Sequence, residues 1–353
     1  MDGTQSKPLE KRGLLYPWGE TVPHTGETIT VAPGIHWVRM PLPFSLEHIN
    51  LWLVDDGDSW TIVDTGMPLD DTKAAWRRIF DEKLDGRPVS RIIVTHMHPD
   101  HVGNAGWLSR KFPGAELWMS RLEYISCRML IADTGREAPQ AGIDFYVRAG
   151  WEQEHIETYK TRFGSFGRGV SRMPDAYRRL EDGETFSMAG ETWTVLVGRG
   201  HSPEHACLHC PALNLIISGD QILPRISSNV SVFPTEPEAN PLAEWLESCA
   251  RLRALLPEET LVLPAHNEPF HGAHKRLSHL IDGHEVGLER LRKKLSEPKK
   301  VTDTFSALFA RKIGADVIGM ATGEAIAHLN LLIARGLAKK EPGPGGADLY
   351  SAL

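Results

Sequence analysis

Three histidines and an aspartate crowd into the six residues His96-Met97-His98-Pro99-Asp100-His101, directly after the apolar run Arg91-Ile92-Ile93-Val94. A short apolar run that ends this way reads as a buried strand delivering metal ligands at its carboxyl end. Imidazole nitrogen and carboxylate oxygen suit zinc, iron or manganese. Four such groups in so short a loop exceed what one tetrahedral ion would take from it, whereas two adjacent ions would use them all. Further ligand types come singly, each after its own β-rich run. Thr192–Val197 leads to His201, Leu213–Ile217 to Asp220, and Leu261–Ala265 to His266. Small residues at these run ends let the backbone turn tightly into a crowded site. Seven candidate ligands result: His96, His98, Asp100, His101, His201, Asp220 and His266.

With Asp64 in Val63-Asp64-Thr65-Gly66, these groups stand in an order that resembles the metallo-β-lactamase superfamily over roughly residues 30 to 290. The resemblance implies an α/β fold, a four-layer αββα sandwich. It implies that His96, His98 and His201 hold one divalent ion, that Asp100, His101 and His266 hold a second, and that Asp220 bridges them. Zinc is the expected metal, with iron or manganese as alternatives. Asp64 is expected to support the ligand loop from behind, or to be a plain Asp-Thr-Gly turn. Glyoxalase-II-like thioesterases and hydrolases with a winged-helix-like tail form the branch it looks most like, and that branch also holds an endoribonuclease.

The rest of the chain divides by rhythm. Residues 1–27 are polar and punctuated by Pro and Gly, and read as an N-terminal arm on the surface. Residues 28–295 carry the main domain. In it, 29–31, 35–38, 50–54, 60–63 and 91–95 read as strands and Asp70–Lys83 as a helix burying Ala74, Ala75, Trp76 and Ile79. Residues 121–180 interrupt the alternation with three helical stretches rich in aromatic residues and arginine, and are expected to form a helical lid. Leu242–Leu256 and His274–Leu295 read as amphipathic helices. Residues 296–353 read as a small winged-helix-like domain, with helices at Phe305–Ile313 and Gly323–Arg335 followed by a hairpin.

Several function classes lose ground on composition. Acidic residues number 46 against 39 basic ones, a net charge of −7 without a basic block, so a nucleic-acid partner is not expected. From Lys299 onward seven Lys or Arg face five Asp or Glu, which fits a packing module better than a DNA reader. No run of 18 apolar residues exists, so no membrane span is expected. The N-terminus lacks the apolar segment of a secretory signal, and the four cysteines do not make a disulfide framework. A cytoplasmic location is the expectation. Cys207 and Cys210 read as strand core, and His271, His274, His279 and His284 as histidines outside the ligand set. His205, four residues past His201, is a better candidate for a contact with the site.

The chemistry that follows from the resemblance is hydrolysis of a thioester, ester or lactone by a hydroxide bridging two ions. Asp100 is the candidate catalytic residue, orienting the nucleophile or passing a proton to the leaving group. A small-molecule substrate is expected, acyl-CoA-like in chemistry, and self-association is left open. An endoribonuclease or phosphodiesterase is the alternative. A β-lactamase is less favoured, because true β-lactamases of the family usually lack an aspartate at the position of Asp220.

Overall fold

The computed structural model describes residues 7–353. Two sheets lie face to face. The first has seven strands, in the order Thr28–Ala32, Ile35–Pro41, His48–Asp55, Trp60–Val63, Val89–Ile93, Glu116–Ser120 and Arg178–Leu180. The second has eight, in the order Leu9–Lys11, Leu14–Tyr16, Phe270–His271, Leu261–Pro264, Leu215–Gly219, His205–Cys210, Glu191–Gly198 and Thr185–Met188.

Strand alternation explains the layering. Along His48–Asp55, Ile49, Leu51 and Leu53 enter one apolar cluster while Trp52 and Val54 enter another. Along Leu215–Gly219, Leu215 and Ile217 face the shared centre while Ile216 faces away. A period of two with both faces apolar demands cover on both sides. The centre is the inter-sheet core, where Trp37, Trp52 and Trp193 are almost fully buried. Outside the first sheet, the helices Asp70–Lys83 and Ala105–Lys111 supply Trp76, Ile79, Phe80 and Leu108. Outside the second, Pro241–Leu255 and Ala273–Lys294 supply Trp245, Leu252, Leu277 and Leu288. The result is the four-layer αββα sandwich.

The segments added to this frame depart from expectation in part. The arm does not lie simply on the surface: Leu9–Lys11 and Leu14–Tyr16 extend the second sheet, and Leu14 and Tyr16 are buried. The first six residues of that arm lie outside the described residues. The interruption at 121–180 does hold three helices, Arg121–Ala132, Gln140–Arg148 and Gln153–Arg162. Three of its aromatic residues, Phe145, Tyr146 and Trp151, are spent on the core shared with the tail, while Tyr124, Phe166 and Tyr177 pack outside the first sheet. Phe145 and Ala149 share a core with Ala325, Ile326 and Leu329, Trp151 Nε1 donates to Thr322 Oγ1 at 2.8 Å, and Arg148 pairs with Asp348. In the tail the first helix is a single turn, Phe305–Leu308, not the longer helix expected to Ile313. The second starts earlier, at Ile318, and runs to Ala334 before the hairpin Ala338–Pro342 with Asp348–Ala352. No helix among the described residues is long and apolar enough to cross a membrane.

Candidate metal centre

All seven candidate ligands meet at one end of the sandwich, just past the strands Val89–Ile93, Glu191–Gly198, Leu215–Gly219 and Leu261–Pro264. The parallel pairing of Leu215–Gly219 with Leu261–Pro264 brings Asp220 and His266 to the same edge. Two clusters form. One atom each from His96, His98, His201 and Asp220 lie within 4.8 Å of one another, and so do atoms of Asp100, His101 and His266.

Asp220 joins the clusters. Its Oδ2 is 3.4 Å from His201 Nε2, while its Oδ1 is 3.5 Å from both His101 Nε2 and His266 Nε2. His266 Nε2 is also 3.3 Å from Asp100 Oδ2, and His96 Nε2 is 3.3 Å from His201 Nε2. A tetrahedral ion with bonds of ~2.0–2.1 Å sets its ligand atoms about 3.3 Å apart, so these spacings fit one divalent ion per cluster. Buried Asp220 Oδ1 and His101 Nε2 have no hydrogen-bond partner among the described residues. Orphaned polar atoms facing each other in a dry site fit a shared cation.

The imidazoles are oriented from behind. His101 Nδ1 donates to Asp64 Oδ2 at 2.7 Å, His201 Nδ1 to the Asn229 carbonyl at 2.7 Å, and His266 Nδ1 to the His48 carbonyl at 2.9 Å. A carbonyl or carboxylate can only accept, so each proton sits on Nδ1 and each Nε2 lone pair points into its cluster. Thr95 Oγ1 gives its own proton to Asp64 Oδ2 at 2.8 Å and is left to accept from His96 Nδ1 at 3.2 Å. Asp64 does this from a left-handed backbone at φ 60°, which aspartate tolerates better than most residues.

Electrostatics follow the same division. Burial and the neighbouring imidazoles hold His96 well below its usual pKa and take His98 down to about 3. Burial also opposes charge on His101 and His266, yet Asp64, Asp100 and Asp220 outweigh it at His101, and Asp220 and Asp100 at His266, so both are raised. Asp220 would be raised by burial but is held low by His266 and His101. An ion entering the cluster of Asp100, His101 and His266 therefore competes with protons on imidazole nitrogen, whereas His96 and His98 are neutral near pH 7. Asp100, with a side chain 20% exposed, is the more open of the two carboxylates, against 11% for Asp220.

Four supporting groups had no signal in the sequence. Glu123, fully buried on the first helix of the interruption, accepts Met97 N–H at 2.9 Å and Glu204 N–H at 2.8 Å. It ties the loops of His96, His98 and His201 together. Asn50 donates to the Pro264 carbonyl at 2.9 Å and also to the Asn267 carbonyl, fixing the turn that carries His266. Ser228 donates to the Asp220 carbonyl. Asn229 supplies the carbonyl that orients His201. His205 does contact the site, from behind: its ring stacks on His96 at 4.7 Å and its Nε2 accepts Asp220 N–H at 3.0 Å. Gly219 has φ 48°, and a Cβ there would lie 2.5 Å from His205 Nε2, so this approach requires glycine.

The remaining sequence candidates stay out of the clusters. His271 and His274 donate to the Glu259 and Leu256 carbonyls, His279 is exposed, and His284 faces His328. Cys207 and Cys210 are buried in their strand, and all four cysteines are free.

Comparison with known proteins agrees with this geometry. A family model described as Metallo-beta-lactamase superfamily matches residues 45–266, and one described as Metallo-beta-lactamase-like, C-terminal domain matches residues 288–353. A solved beta-lactamase domain protein from Burkholderia ambifaria is 41% identical, with a TM-score of 0.85 over 97% of this chain and 100% of that one. Acyl-coenzyme A thioesterase MBLAC2 of Gallus gallus is 25% identical over 67% of this chain and 79% of its own length. Atrochrysone carboxyl ACP thioesterase of Aspergillus fumigatus is 23% identical over 60% of this chain, which spans only 36% of that protein.

Proposed function

The chain belongs to the metallo-beta-lactamase superfamily, and on that premise we propose that it is a hydrolase with two divalent ions, zinc by the donor set, that cleaves an acyl thioester. The observation that carries the reading is Asp220, with one oxygen toward each ligand cluster. His96, His98 and His201 would hold one ion, Asp100, His101 and His266 the other, and Asp220 both. When bound, such ions supply a water that ionises near neutral pH and polarise the acyl oxygen.

The protein groups do the rest. Asp100 is open enough to reach a bound substrate, and its free oxygen can orient the attacking water or pass a proton to the departing thiolate. The proton-bearing Nδ1 atoms of His101, His201 and His266 are tied to fixed acceptors, so the ligand set is preorganised and need not rearrange during reaction.

Three features support an acyl substrate. Two of the relatives named above are called thioesterases, one an acyl-coenzyme A thioesterase and one an ACP thioesterase. The net charge of −7 offers a polyanionic polymer no long-range attraction. The helix that carries Glu123 exposes Leu122, Ile125 and Met129 to 44%, 52% and 47%, an apolar stripe beside the braced loops that suits an acyl chain.

The test is kcat/KM across acyl thioesters, aryl esters, lactones, β-lactams, phosphodiesters and RNA, with the native protein and Asp100→Asn. Thioesters should lead, and the variant should lose about 100-fold or more on them, as removal of a general acid-base group does. A preference for RNA or phosphodiesters abolished by the same substitution would overturn the substrate class.

A further inference from the structure

We propose that a cationic cavity beside the ligand clusters is a phosphate subsite, which takes a phosphate ester of the carrier that delivers the acyl thioester; the identity of that carrier rests on the thioester reading above. The cavity is about 270 Å³ and lies between the helix Ala273–Lys294, the loop that follows Asp220, and the tail. Pockets for whole drug-sized ligands run from ~300 to 1,000 Å³. This one is sized for a phosphate group and its nearest atoms.

Its charge is the main argument. Arg225, Arg276 and Arg290 all line it. Arg225 is paired with Glu268. Arg276 gives Nε and Nη2 to the carbonyls of Leu223 and Ile226, and has no carboxylate partner among the described residues. The Arg290 guanidinium has neither a hydrogen bond nor an ion pair among the described residues, while the acids next to it on the helix, Glu285 and Glu289, are taken by Arg335 and Arg292. A free guanidinium at a cavity wall is a ready donor fork for phosphate oxygens. One carboxylate lines the cavity, Glu324. It accepts from Asn229 Nδ2 at 2.9 Å, and burial raises its pKa to about 7, which weakens the charge it can set against the arginines.

The walls leave the space open. His328 Nδ1 donates to the Glu324 carbonyl at 2.8 Å, so its Nε2 accepts from His284 Nδ1 at 3.3 Å, and His284 Nε2 then accepts from Ser227 Oγ at 3.3 Å. Burial takes both imidazoles down to about 4, so they form a neutral, fixed wall and the arginines supply the donors. Gly283 and Gly287, one turn apart, also line the cavity. A Cβ on Gly283 would meet nothing within 4 Å, so no crowding demands glycine there. Glycine inside a helix costs about 1 kcal/mol against alanine, and what it preserves here is room.

The cavity and the ligand clusters are two sides of one loop. Ser227 lines the cavity, Ser228 holds the Asp220 carbonyl, and the Asn229 carbonyl orients His201. Arg225 reaches across to Glu268, two residues past His266. A carrier lying over this loop would have its phosphate at the arginines and its acyl group at Asp100.

The experiment compares thioesters of one acyl group on CoA, dephospho-CoA, 4′-phosphopantetheine and pantetheine. It uses the metal-loaded protein, Arg290→Ala, which removes an exposed and unpartnered side chain, and Gly283→Leu, which fills the cavity. The native protein should favour phosphate-bearing carriers about ten-fold or more through KM, and inorganic phosphate should compete with acyl-CoA. Both variants should shrink that preference toward unity while hydrolysing the pantetheine thioester as the native protein does. The step at which the preference appears in the carrier series identifies the phosphate. Equal kcat/KM on CoA and pantetheine thioesters, or a preference that survives Arg290→Ala, overturns the subsite. If no thioester is hydrolysed, the thioester reading fails and calorimetric titration with CoA decides the cavity separately. Binding lost in Arg290→Ala supports the phosphate site, and equal or absent binding overturns it.

Discussion

Replacing Asp64 with asparagine should weaken binding of the ion expected at Asp100, His101 and His266 while leaving the fold and the other cluster in place. Asparagine has the same shape and tolerates the φ of 60° found here. Its one oxygen can still accept Thr95 N–H, as Asp64 Oδ1 does at 2.8 Å. Its NH₂ would then stand where Asp64 Oδ2 accepts His101 Nδ1–H at 2.7 Å. Two donors cannot share that distance. His101 must move its proton to Nε2 or swing away, and either removes the lone pair aimed at the cluster. Flipping the amide only transfers the clash to Thr95 N–H. A hydrogen bond to a charged group is worth about 1.5–3 kcal/mol, which corresponds to a loss of roughly 10- to 100-fold in ion affinity. Competition with a chromophoric chelator would resolve this as one weakened step out of two. Asp64→Ala should show the same loss plus a lower Tm of the metal-free protein, because alanine in left-handed backbone costs about 1–2 kcal/mol. Asp64→Asn protein that binds two ions with native affinity would refute the claim that Asp64 sets the tautomer of His101.

Three further outcomes are expected. Glu123→Gln leaves an amide against one of two buried N–H groups, Met97 or Glu204; urea melts should show a loss of about 1–3 kcal/mol, with ion affinity reduced at the His96 cluster, and unchanged stability would discount the brace. Asp220→Ala should weaken both ions together, whereas His266→Ala should weaken mainly one, as metal analysis after dialysis would tell. Glu324 is raised by burial from 4.5 to about 7, so the folded state holds its proton more tightly than the unfolded state. The stability this adds is complete below pH 4.5 and is lost as pH rises through 7, roughly 3 kcal/mol in all. Arg225, Arg276, Arg290, His279, His284 and His328 line the same cavity, and burial takes His284 and His328 down to about 4, below the window in question. Glu324→Gln keeps an acceptor for Asn229 and should flatten the curve between pH 5 and 8; parallel curves for the two proteins would contradict the assignment.

The ligand clusters were legible because their signal is local. A β-rich run ending in a small residue and then His or Asp is visible without knowing what lies opposite. The same holds for the strand Trp60–Val63 and the helix Asp70–Lys83, whose bounds match the expected ones. Even there Ala74 faces solvent and Phe80 is buried in its place, because helix Ala105–Lys111 and its flanks bring Trp107 and Phe112 against Phe80. Groups that act across long separations left no trace. Glu123 sits on a surface-like helix in sequence, yet two backbone N–H groups 26 and 81 residues away account for its burial. Asn50 reaches 214 residues forward to Pro264. The arm was misjudged for a similar reason: Leu14 and Tyr16 are buried only because the edge of the second sheet is there to receive them. In the tail, the helix from Ile318 is buried nearly all round, so it lacks the one-sided pattern that would have marked its start.

The central claim is a two-ion hydrolase built around Asp220. It is tested most directly by adding zinc stepwise to metal-free protein while following release of free thiol from an acyl thioester. Hydrolysis should continue to rise until two equivalents per chain are bound, and Asp220→Ala should show neither stage. Full activity at one equivalent, or thioester cleavage that ignores added metal, would contradict it.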